Sequence, residues 1–287
     1  MSTVADKPYQ VITDRILSLL EQGTVPWQKP WNAEQGQPRN LFTQRKYNGV
    51  NLWLLGSMGY ASPFWCTFNQ AKAAGGMVKR GEHGVPVVFW KIYDKDNEEG
   101  EKEKRFALKY FTVFNSAQID GVAVPSVEPV PYEHTPIERC EKLVGGYPLP
   151  PQITHGGTRA FYRPSSDAVH MPMPETFVGP ERYYSTLFHE LTHSTGHSSR
   201  LNRKTLKDAV AFGDRSYAQE ELVADMGAAY LCGVCGIENA TIDNSASYIQ
   251  GWRQALKHDP KCVVTAAGQA QKAADYIQNL QVVPQED

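Results

Sequence analysis

Cysteine is scarce: the chain has five, an odd number that no complete set of intramolecular disulfides can use up, and such a count suits a reducing compartment. Cys232 and Cys235 make a C-x-x-C, but it closes a helical pattern and no second pair follows, so neither a redox unit nor a structural zinc unit is expected there. Long apolar runs are also missing. None approaches the ~18 residues of a membrane span, which removes a membrane partner. The opening residues, Met1 to Pro8, lack a basic stretch followed by an apolar one, so a cytoplasmic chain is expected. No zinc-finger, helix-turn-helix or RRM signature is present to announce nucleic-acid binding.

Charge is nearly balanced, with a net of −2 over 287 residues, yet it is unevenly spread. Residues 1–92 hold ten Lys+Arg against five Asp+Glu, a net of +5, and the remaining 19 and 26 give −7. A hydrophobic content of 41% is enough for a globular chain of two domains.

Asp6 to Gln22 has a helical period, with Tyr9, Ile12, Ile16, Leu19 and Leu20 on one face and Gly23 as a stop. Trp27 and Trp31 follow in a proline-fixed segment, where such rings serve either as packing or as stacking surfaces. Thr67-Phe68-Asn69-Gln70 is a capping box. Val85 to Tyr93 and Phe106 to Phe114 read as strands around a charged tip, Asp94 to Arg105, expected to be a solvated loop. Cations and rings interleave through this region. Phosphates need the cations and bases need flat apolar surfaces, which makes Arg45, Lys46, Lys79 and Arg80 the candidate phosphate contacts and Trp27 and Tyr47 the candidate stacking rings. The same mixture also occurs on ordinary surfaces, so composition alone leaves nucleic-acid binding open.

Between Ser116 and Thr135 the pattern gives way to Gly121, Pro125, Pro129 and Pro131, a linker placed at 126–134 that divides residues 1–125 from 135–287. Thr135-Pro136-Ile137-Glu138 restarts regular structure as a capping box. A strand pair is expected at Arg159 to Tyr162 and Ala168 to Met171, the second offering an edge to an extended peptide. The tail after Ser245 reads as two packing helices.

The chemistry is concentrated in His189-Glu190-Leu191-Thr192-His193. Two imidazoles four residues apart on a helix project from one face and can reach a single metal ion. Glu190 is rotated by about 100° from His189, so its carboxylate stands beside the ion and can take a proton from water there. A catalytic zinc needs a third protein ligand and an open position. Glu221 is the expected ligand, from a second helix, with Asp225 one turn on to hold an imidazole's other N–H. Glu220 and His197 are rivals for the third position, although His197 does not fit the metzincin register.

A resemblance joins the two halves. Val25-Pro26-Trp27, Tyr47-Asn48-Gly49-Val50-Asn51, Trp65 to Gln70 and Phe111 to Asn115 resemble the single-stranded-DNA-binding domain of ArdC-type antirestriction proteins, a domain similar to one on some plasmid primases. Tyr183 to His197 and Glu220 to Ala224 resemble the metallopeptidase-like domain of the same family. The resemblance implies an α+β chain, with a small α+β DNA-binding domain followed by a mainly helical zincin-like domain carrying a short antiparallel sheet. It also implies a divalent metal, zinc or another such as Mn2+. Single-stranded DNA and a host restriction-system protein or other peptide are the implied partners, and the implied role is protection of incoming plasmid DNA from host restriction. Two readings follow, a zinc-dependent peptidase brought to DNA, or a DNA-binding protein whose zincin half is only a scaffold.

Overall fold

Ile12, Ile16, Leu19 and Leu20 recur at helical spacing, and α1 (Lys7–Glu21) buries all four. Its Pro8 sits in the first turn, where a missing N–H costs nothing. The computed structural model describes residues 6–27, 36–96, 102–126, 135–208, 215–237 and 246–280. Trp31 and, apart from Ser126, the expected linker lie outside the described residues.

The N-terminal sheet runs β1 (Arg39–Asn40), β2 (Phe64–Thr67), β5 (Lys102–Asn115), β4 (Val85–Asp96), with β1 and β2 parallel and the other neighbours antiparallel. Strand β4 is therefore an edge. The β4–β5 ladder continues from Val85 opposite Val113 to Asp96 opposite Lys102, through most of the stretch expected as a loop. Charge does not break a strand here, because the ladder is made by backbone N–H and C=O groups. Helix α2 (Val50–Gly56) is apolar apart from Asn51 and buried from Val50 to Leu55. Helix α3 (Phe68–Ala73) opens on the Thr67–Gln70 capping box, and a short ladder pairs β3 (Met77–Val78) with β6 (Ile119–Asp120).

The C-terminal half begins with α4 (Pro136–Gly145), capped reciprocally by Thr135 and Glu138. Next come β7 (Gln152–His155), β8 (Phe161–Arg163) and β9 (Ala168–Met171), in the order β7-β9-β8. The expected antiparallel pair forms between β8 and β9, and β7 joins β9 in parallel. This corrects the reading of residues 168–171 as a free edge. Both sides of β9 are paired, so an extended peptide finds no open edge there.

Helices α5 (Pro180–Ser194), α6 (Lys204–Asp208), α7 (Arg215–Cys235), α8 (Ala246–His258) and α9 (Cys262–Ile277) follow among the described residues. Leu222, Val223, Ala224, Met226, Ala228, Ala229 and Leu231 of α7 are fully buried, which makes α7 the central helix rather than a surface one. Gly227 lets it approach α5 closely: a Cβ there would stand 2.4 Å from Cγ2 of Thr192. Cys232 and Cys235 are buried free thiols, and burial pushes the Cys232 thiol well above its ordinary value.

One contiguous core runs through both halves. Trp27 meets Trp252 of α8 and Trp53 meets Tyr230 of α7, each edge to face with ring centroids 6.3 Å apart. Thr13 Oγ1 donates to the carbonyl of Pro260 at 2.7 Å, and the backbone N–H of Gly49 to Gln271 at 3.3 Å. Residues on either side of the expected linker therefore share packed side chains.

Candidate metal centre

Helix α5 carries His189 and His193 on one face, and α7 crosses it at the Gly227 approach, bringing Glu221 over the two rings. The two Nε2 atoms are 3.2 Å apart, and the Glu221 carboxylate lies 3.5 Å from that of His189 and 3.6 Å from that of His193. Donors held 2.0–2.1 Å from a tetrahedral ion stand about 3.3 Å from one another. The triangle fits that requirement, and among the described residues no other group of three His, Cys, Asp or Glu side chains converges in this way. Two imidazole nitrogens and one carboxylate oxygen are the donor set of a divalent-metal site, for zinc or manganese.

The other ring nitrogens have acidic neighbours. Asp225 Oδ1 is 3.2 Å from Nδ1 of His189. Glu220 Oε1 is 3.3 Å from Nδ1 of His193. Glu220 is itself gripped: Arg203 reaches its two oxygens at 2.6 and 3.2 Å, and Thr205 Oγ1 donates to Oε2 at 2.5 Å. The same guanidinium donates to the carbonyls of Thr192 and His193, so one buried cation caps α5 and anchors the carboxylate behind its metal-facing ring.

Burial works against charge on Glu220, but His193 and Arg203 outweigh it and hold the carboxyl down to about 2. Burial likewise opposes a charged His189, yet Asp225 and Glu221 raise that ring well above the usual histidine value. On Glu221 burial is outweighed by the two imidazoles, and its carboxyl is lowered. The centre is an acidic environment around two imidazoles, the setting that a dication neutralises. Glu190 is buried, and its carboxylate acts electrostatically on both His189 and Tyr217. Tyr217, one turn before Glu221 on α7, donates a hydrogen bond to the Glu221 carboxylate.

His197, the sequence rival, stands outside the cluster with Nδ1 2.8 Å from Ser199 Oγ. Glu220, the other rival, faces the back of His193. Sequence reasoning missed Arg203, Thr205 and Tyr217. Their pairing with Glu220 and Glu221 is set by tertiary packing, and the sequence carries no local signal for it.

The residues proposed for DNA contact are scattered. Trp27 is 0% exposed and Tyr47 4%, so both rings belong to the core and neither can stack on a base, a correction to the sequence reading. Lys79 is tied to the carbonyl of Ala117 at 2.8 Å. Arg45, Lys46 and Arg80 are exposed, and Lys46 alone among the proposed residues lines the large cleft beside β4.

Residues 6–114 match the model of the N-terminal domain of anti-restriction factor ArdC, and residues 141–269 that of a zincin-like metallopeptidase. The crystal structure of the antirestriction protein ArdC of plasmid R388, metal-free, superposes with a TM-score of 0.75 at 38% identity, covering 95% of this chain and 98% of that one. Its Mn(II)-bound form gives 0.73 at 38% identity, covering 94% and 97%. An uncharacterized protein, y4eC, of Sinorhizobium fredii is 34% identical over 94% of this chain and 91% of its own length. A DNA primase TraC of Escherichia coli is 35% identical over 96% of this chain, which spans 27% of the primase.

Proposed function

The chain belongs to the family of ArdC antirestriction proteins, and on that premise we propose that it is a metal-dependent peptidase joined to a single-stranded-DNA-binding half, protecting incoming plasmid DNA from host restriction. The observation that carries the peptidase reading is the triangle of His189, His193 and Glu221 with a carboxylate behind each imidazole and a buried glutamate beside it.

When bound there, a divalent ion supplies a Lewis acid that acidifies water and polarises a peptide carbonyl. The chain's own residues do the rest. Glu190 takes the proton of the attacking water and returns it to the leaving amine. Asp225 and Glu220 fix the orientation of the two rings from behind, and Tyr217 steadies the carboxylate of Glu221. A peptide of a host restriction-system protein or of another protein is the substrate class. The DNA half is supported by the match over residues 6–114, by the +5 balance of residues 1–92, and by the function named for the TraC primases.

Glu190→Gln tests the reading. Removing a general base costs about 10²–10⁴ in rate, so protection of transferred DNA is expected to be lost while metal content stays at the wild-type level. Full protection by Glu190→Gln would contradict the peptidase reading. It would favour the zincin half as a scaffold, a role consistent with Trp53 of the N-terminal half packing directly on α7.

A further inference from the structure

The β4–β5 ribbon exposes large apolar side chains: Trp90 is 53% exposed, Phe106 62% and Ile92 45%. Exposed apolar patches of this kind mark interaction sites. The residues are gathered, not scattered. Ile92 is registered opposite Phe106 and Trp90 two residues earlier on the same strand, so all three share one face of the ribbon. Together with Phe89, Lys46, Asn48 and Asn51 they line a cleft of about 800 Å³ along the outer edge of β4. Trp90 is set edge-on against Tyr9 of α1, ring centroids 6.5 Å apart at 69°, which holds the ring while half of it stays open.

The lining defines the ligand. Among the described residues it offers flat rings, the Asn48 carboxamide and one exposed lysine, and no acid. Rings beside a cation suit bases on a phosphate backbone, because every base has a π-face and each phosphate attracts a cation. The cleft is also of the size that takes small ligands such as one or two nucleotide units. An added peptide strand fits less well. Asn51 already accepts from the N–H of Val88 at 2.8 Å and donates to its carbonyl at 2.7 Å, closing the β4 edge at the inner end of the cleft.

We propose that bases of a single DNA strand seat in this cleft, stacked on Trp90 and Phe106, with Lys46 meeting the backbone. The proposal rests on the single-stranded-DNA reading above and gives that reading its stacking rings, in place of the buried Trp27 and Tyr47. The test is fluorescence anisotropy of a labelled oligothymidylate with the full chain. Trp90→Ala and Phe106→Ala should each weaken binding about five- to 150-fold. Lys46→Ala should weaken it at low salt and flatten the log–log salt slope by about 0.7. Phe68→Ala, which removes a ring 50% exposed elsewhere on the same half, should change affinity less than about twofold. Both substituted rings are at the surface, so the variants are expected to fold, and Trp90→Phe should restore most of the binding. Wild-type affinity in Trp90→Ala and Phe106→Ala, with the wild type binding well, would overturn the cleft and leave the DNA reading standing. That result together with loss of a protein partner would assign the cleft to a peptide. A wild-type chain that binds no single-stranded DNA would overturn both readings.

Discussion

Arg203 grips Glu220 in a buried, two-point contact, Nη2 to Oε1 at 2.6 Å and Nε to Oε2 at 3.2 Å, directly behind the metal-facing ring of His193. Both side chains are almost fully buried, so each charge depends on the other. Truncating one partner of such a pair costs roughly 3–5 kcal/mol, because the remaining charge stays buried and uncompensated.

Arg203→Leu should therefore lower the stability of the chain by roughly that amount in denaturant unfolding. It should also weaken metal binding about 10–100-fold, the usual cost of losing the group that supports a ligating histidine. Arg203→Lys keeps the charge but not the fork, so its losses should be intermediate in both measurements. Unchanged metal affinity in Arg203→Leu would separate Glu220 from the metal centre.

The continuous core predicts that the two halves unfold together. Tryptophan fluorescence and far-ultraviolet circular dichroism should give coincident transitions for the full chain. Trp53→Ala, which empties the contact with Tyr230 of α7, should cost about 3–5 kcal/mol and lower the midpoint of both signals equally. Two separated transitions, with only the first shifted by Trp53→Ala, would mean that the halves are independent domains.

Asp167, at the turn between β8 and β9, accepts from Arg200 and from Tyr162, and Arg200 in turn donates to the carbonyl of Ser194 at the end of α5. Burial raises the Asp167 carboxyl, but these donors win and its value lies below the ordinary 3.8. A carboxyl lowered in the folded state stabilises the fold above its unfolded value, and the effect disappears as pH falls through the folded value. The stability gap between wild type and Asp167→Asn should be constant from neutral pH down to about 5 and close progressively in stronger acid. A gap that persists in strong acid would assign the contribution to packing instead of charge.

The metal helix was legible in the sequence because helical geometry is local: His189 and His193 meet whatever the rest of the chain does. Choosing between Glu220 and Glu221 was harder. The two are adjacent on α7 and differ by one step of rotation, and the group that draws Glu220 aside is Arg203, on a separate segment. The spacing of Glu221 and Asp225 places both on the face of α7 that meets the two rings. Trp27 was misread as a stacking ring because its partner, Trp252, lies at the other end of the chain. The strand Gln152–His155 is absent from the sequence reading, and without it β9 looks like an edge. The rings of the β4–β5 ribbon escaped notice for the opposite reason. Trp90, Ile92 and Phe106 alternate like core residues, and only the tertiary fold leaves their face uncovered.

Titration of the purified, metal-stripped chain with Zn(II) or Mn(II), followed calorimetrically, tests the central claim most directly. One equivalent should bind to the wild type. Binding should be lost or sharply weakened in His189→Ala, His193→Ala and Glu221→Ala, and stay at the wild-type level in His197→Ala. Wild-type binding by Glu221→Ala, or equal loss in His197→Ala, would contradict the assignment of His189, His193 and Glu221 as the metal centre.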